Sequence, residues 1–236
     1  MDIVEILKDS FTYPLHNIKS LVIYAILGII AAIAFGGTLV GIITGVTTEN
    51  AVALLGSAFL GVIISAFVAF VISGYELDIV KYGIARSDES PSIDIIRQFF
   101  NGFKLLIVSI VYYIIPYVIV LILSIFFKHW VISVIAFILY VIFALAQFMA
   151  QCRLAKTEDL MDALAFGQAI ADISRVGIVK LLLFIIIVAI IAAILIFIAA
   201  ALFQWNTIVG GIILGIVAVY LVFFVGRATG LLYSEV

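Results

Sequence analysis

Six apolar runs, each long enough to cross a bilayer, leave this chain few folds to choose from. They cover residues 21–46, 51–73, 105–127, 130–150, 181–203 and 207–226. A membrane-crossing helix needs about 20 apolar residues, whereas a buried strand needs about 4–8. In lipid the backbone must satisfy its own hydrogen bonds, so such runs become helices. Composition agrees: 67% of residues are hydrophobic and 11% charged, against about one quarter charged in a soluble domain. The expected fold is an all-α integral membrane protein with six transmembrane helices in a single transmembrane domain, 1–236. The first run continues past Ala34 and is preceded by acids as well as bases, so it reads as a span rather than a cleaved signal.

The longest break in this pattern is 73–104, which carries Glu76, Asp78, Lys81, Arg86, Asp88, Glu89, Asp94, Arg97 and Lys104. A second charged stretch runs over 151–180. The turns between the other runs are short: Thr47-Thr48-Glu49-Asn50, Lys128-His129 and Gln204-Trp205-Asn206. Six spans put both termini and both charged stretches on one side. That side then holds every lysine and arginine except Lys128. Basic residues accumulate on the cytoplasmic face, so the expected location is the cell membrane with both termini cytoplasmic. Trp130 and Trp205 would mark the outer interface.

Three amphipathic segments share the charged side. The first opens at Asp2, with Glu5 completing a capping box and Ile3, Ile6, Leu7 and Phe11 on one face. Pro14 is expected to end or bend it. The second opens at Ser90-Pro91 and aligns Ile93, Ile96, Phe100 and Phe103. The third opens at Thr157-Glu158-Asp159 and aligns Ala163, Phe166, Ile170 and Ile173. Each leads to a lysine placed to snorkel: Lys19, Lys104 and Lys180. The recurrence of cap, apolar face and lysine predicts three interfacial helices and a threefold internal repeat, with units of about 1–89, 90–156 and 157–236. Acids offset bases on this side, so the segments should be held by apolar burial rather than by attraction to anionic lipid.

The order of several short motifs resembles a family of polytopic membrane proteins labelled domain of unknown function 4013. The residues that carry it are Tyr13-Pro14 and Asn17, Gly74-Tyr75, Pro91, Asn101-Gly102-Phe103-Lys104, and Val111-Tyr112 through Pro116. Residues 163–177 and the terminal Arg227-Ala228-Thr229-Gly230-Leu231-Leu232-Tyr233 continue it. The chain departs from the pattern at Ser90, where leucine is expected, and at Ile95-Ile96, where an acid and tryptophan are. The resemblance implies a fold and no activity.

Chemistry-bearing motifs are scarce. There is no phosphate loop, no nucleophile elbow, no zinc-binding pair of histidines and a single cysteine, Cys152. We therefore expect no catalytic residue, no cofactor, no metal and no enzyme activity, and the net charge of -2 gives nucleic acid no purchase. The span centres carry no charge, which argues against a charge-coupled carrier. Tyr112, Tyr113, Pro116, Tyr117 and Gln147 are candidates to line a cavity; helix packing is the plainer reading of them, with Gln147 bonding a neighbouring helix. Gly37, Gly41 and Gly45, and likewise Ser57, Gly61, Ser65, Ala69 and Ser73, recur every four residues and should let two helix backbones approach closely. The expected function is a non-enzymatic membrane protein that organises or senses the bilayer, or docks a protein partner on its cytoplasmic face. The alternative is a carrier or channel for a small uncharged or lipid-like solute. Membrane lipids are the expected partners.

Overall fold

The computed structural model describes residues 1–127 and 129–236; the side chains at positions 35, 53, 129, 203, 204, 205, 207 and 208 lie outside the description. The described residues form nine helices: α1 (Ile3–His16), α2 (Ile18–Thr47), α3 (Ala51–Ile84), α4 (Ile95–Leu123), α5 (His129–Thr157), α6 (Leu160–Ala163), α7 (Phe166–Val176), α8 (Ile178–Trp205) and α9 (Thr207–Tyr233). Six of them, α2, α3, α4, α5, α8 and α9, are long and apolar enough to cross a membrane. The turn expected at Lys128-His129 falls on a residue outside the description, as does the side chain of Trp205.

Helix α3 is the pillar of the bundle and packs against α2, α4, α5 and α9. Its 34 residues span about 50 Å at 1.5 Å per residue, against about 30 Å of hydrocarbon. The second span therefore does not stop at Ser73. The helix runs on through Glu76, Asp78 and Lys81 because Leu77, Ile79 and Val80 keep burying apolar surface in the same helical register. Only 85–94 connects it to α4.

Two expected helix starts move. Asp94, not Ser90, caps α4: its Oδ1 accepts from the Arg97 amide at 3.1 Å, while the Ser90 hydroxyl pairs with that of Ser20 at 2.9 Å. The second amphipathic segment is thus the first turns of α4, continuous with the span. Thr157 ends α5 instead of opening the next helix; Glu158 turns the chain at φ 59°, and Asp159 caps the short α6. A left-handed Gly177 (φ 92°) then separates α7 from α8. At the N-terminus the Asp2–Glu5 capping box forms as expected, and α1 continues two residues beyond Pro14.

Burial is uneven along the spans. The core gathers at the end that carries the termini, where α1 and α7 rest on α9 and α5. Ile6 and Ile173 are buried there, so the apolar faces of these two helices meet protein. The other halves of the spans leave apolar side chains bare, Val52 at 83% and Phe197 at 76% exposure. Water could not wet such a surface; lipid can.

Candidate functional site at the charged end and the clefts between the spans

The expected charged loops turn out to be a bonded collar. Asp78 of α3 is buried, and three side chains of α4 answer it. Arg97 Nη2 donates to Oδ2 at 3.0 Å, Gln98 Nε2 donates to Oδ2 at 3.3 Å, and Asn101 Nδ2 donates to Oδ1 at 3.2 Å. The Tyr24 hydroxyl of α2 donates to Gln98 Oε1. A buried carboxylate without such partners would be strongly destabilising.

Arg227 of α9 is 2% exposed. Its guanidinium meets Asp9 Oδ1 of α1 at 2.7 Å and Asp88 Oδ1 at 2.6 Å, and donates to the carbonyl of Ser87. It also lies 5.0 Å from the centre of the Tyr13 ring, in cation–π range. A third buried charge, Asp172 of α7, accepts from Arg153 and Arg175 at 3.0 Å each and from the Tyr233 hydroxyl at 2.6 Å. Peripheral pairs complete the ring: Lys81–Glu158 and Lys180–Glu235, both at 2.6 Å. The Lys180 ammonium, and then the Met1 amine, hold the Glu235 carboxyl down at about 2, so it stays ionised at physiological pH.

The candidate cavity residues divide between different places. Tyr112 is buried and donates to the Ala163 carbonyl at 3.0 Å, and Pro116 is buried in α4. Tyr113 and Tyr117 point the other way, into an outer groove of about 540 Å³ that they share with Ser109 and Tyr140. The three tyrosines therefore do not converge. Gln147 Nε2 donates to Ser109 Oγ of α4 at 2.9 Å. Gln147 and Tyr113 also line a separate cleft of about 430 Å³ between α4, α5, α8 and α9.

The small residues divide as well. A side chain at Gly41 would meet Ser57, one at Gly45 would meet the Leu54 backbone, and one at Gly61 would meet Thr38, so these mark the α2–α3 contact. A side chain at Gly37 would point into open space. Ser65, Ala69 and Ser73 line a cleft of about 650 Å³ between α2, α3 and α9. Gly61→Leu is therefore expected to loosen α2 from α3 by about 1–3 kcal/mol, the usual cost of overpacking, while Leu60→Ile, on an exposed position, should be mild. Thermal melting in detergent compares the two, and equal melting would remove the argument.

Sequence reasoning missed Asp78, Gln98, Arg153, Asp172 and Arg227. The available signal was an ionisable or amide side chain set among apolar neighbours on a helix, as in Leu77-Asp78-Ile79 and Ala171-Asp172-Ile173. Such residues are seldom fully buried unless paired. Cys152 is buried in α5. Among the described residues no cluster of His, Cys, Asp or Glu could hold a metal ion.

Six apolar helices, lipid-exposed along most of their length and tied at one end by buried ion pairs, define an all-helical integral membrane protein. The chain belongs to the family described as Protein of unknown function (DUF4013), whose model matches residues 57–204. No curated protein and no solved structure matches it.

Proposed function

We infer that this is a non-enzymatic protein of the cell membrane, with both termini cytoplasmic, that anchors in the inner leaflet and orders the lipid around it. One observation carries the reading. Beside the collar, Ile96 is 73% and Phe100 58% exposed, and Ile93 and Phe103 extend the same uncovered apolar surface. The opposite side of these turns is fixed to α3 by the Asp78 bonds. The face is therefore presented rigidly at the level where the charged end meets the apolar spans. A side chain this large gains about 1.5–3 kcal/mol on full burial, which makes acyl chains its natural cover. The concentration of lysine and arginine on the charged side, where the sequence pattern puts every one of them except Lys128, supports the cytoplasmic placement.

The test is a lipid-order probe in proteoliposomes. The wild-type protein should raise lipid order, and high salt should leave the effect unchanged, since about 1 M salt cuts the Debye length to about 3 Å but does not weaken apolar burial. Ile96→Ser with Phe100→Ser should remove most of it while the Asp78 bonds keep the segment folded. A wild-type protein that leaves lipid order unchanged would sink the reading. The second reading, a carrier for an uncharged or lipid-like solute, draws support from the clefts of about 430 and 650 Å³ between the spans.

A further inference from the structure

The cleft between α4, α5, α8 and α9 combines two kinds of wall. Most of it is apolar, from Val141, Leu145, Phe148, Phe184 and Val188. Toward the charged end it carries neutral polar groups: Gln147 and Gln151 of α5 and Thr229 of α9. Thr229 is 3% exposed and its hydroxyl makes no hydrogen bond among the described residues, whereas Ser10 and Thr38 each return theirs to the carbonyl one turn back. The Gln151 amide likewise has no protein partner among the described residues. Gln147 donates an amide N–H to Ser109, and its oxygen has no partner among the described residues. These polar groups face the open cleft, so in a membrane their hydrogen bonds must come from whatever fills it.

We propose that this cleft binds a neutral glycerolipid with a free hydroxyl, of the diacylglycerol class, seating the hydroxyl and ester end on Thr229, Gln151 and Gln147. Three features select this chemistry. No charged side chain lines the cleft, so a phosphate or carboxylate head would find no counter-charge. Amide and hydroxyl groups both donate and accept, which matches a hydroxyl beside an ester carbonyl. The volume of about 430 Å³ lies within the range of about 300–1,000 Å³ typical of ligand clefts. The acyl chains leave between α5 and α8, where the Phe148 and Phe184 ring centres lie 6.2 Å apart. This binding rests on the membrane reading of the spans and not on the ordering role of the α4 face.

The experiment uses the full chain in phosphatidylcholine nanodiscs with a diazirine-bearing diacylglycerol, and its phosphatidic acid counterpart with the same chains. Mass spectrometry should place saturable crosslinks on α5, α8 and α9 around the cleft. Excess diacylglycerol should compete and phosphatidic acid should not. Thr229→Val and Gln151→Leu should each weaken saturable labelling about tenfold, the loss expected for one hydrogen bond to a buried group. Their melting should stay near wild type, since neither bonds the protein. Labelling that is unsaturable, equal for the charged analogue or unchanged in both variants would overturn the proposal. Lipid ordering, measured in phosphatidylcholine alone, would stand or fall separately.

Discussion

Arg227→Ala is expected to destabilise the protein by about 3 kcal/mol and to free the 85–94 connection. Removing one partner of a buried ion pair costs about 3–5 kcal/mol. The lower end applies because the acids left behind can hydrate: Asp9 is 35% and Asp88 85% exposed at the side chain. What cannot be recovered is the junction itself. Arg227 joins α9 both to α1, through Asp9, and to the connection, through Ser87 and Asp88. Arg227→Lys keeps the charge but loses the planar fork, so it should fall between the wild type and the alanine variant. Melting in detergent reads the stability, and trypsin cleavage after Arg86, an exposed residue, reads the connection. An alanine variant that melts and cleaves like wild type would show that the guanidinium is not a junction.

A leucine at Gly102 should be at least as damaging. A side chain there would run into the Phe70 carbonyl of α3, and one at Gly74 would run into the Gln98 carbonyl of α4. The two glycines are therefore reciprocal halves of one crossing, where backbone meets backbone. A flexible neighbour can turn aside, but a helix carbonyl cannot, so the helices must separate. Overpacking typically costs about 1–3 kcal/mol and more when backbone must shift. Here separation also pulls Arg97, Gln98 and Asn101 away from Asp78, leaving a buried carboxylate unanswered. Gly102→Leu should thus fail to yield folded protein, while Gly37→Leu, which meets open space, should express and melt normally. Size-exclusion profiles in detergent compare them; a monodisperse Gly102→Leu peak with wild-type melting would refute the crossing.

The spans and the turn at Glu49 were legible because both signals are local: run length for the spans, and a polar break after Thr47. The Asp2–Glu5 cap was legible for the same reason. The end of α3 was not, since Asp78 and Lys81 read as a loop until their partners on α4 and beyond α5 are known. The tail from Arg227 to Tyr233 likewise looks polar and short, yet α9 continues through it. Gly83 and Gly230 bring α3 and α9 into backbone contact there, and Tyr233 reaches Asp172. The tyrosines divide more simply. On a helix Tyr112 stands about 100° from Tyr113, while Tyr113 and Tyr117 share a face, so spacing separates them, but only packing says which side is core. The cleft near Gln147 was half visible, in Gln147 and Tyr113. Thr229 and Gln151 were hidden because they come from segments read as tail and loop.

Accessibility in intact cells tests most directly whether the chain crosses six times with the collar inside. In a Cys152→Ala background, single cysteines at Thr48 and Thr157, both exposed, are challenged with a membrane-impermeant thiol reagent. The predicted result is labelling at position 48 in intact cells, and labelling at position 157 only after permeabilisation. Labelling at position 157 from outside would contradict the orientation, and labelling of both positions in intact cells would contradict the crossings themselves.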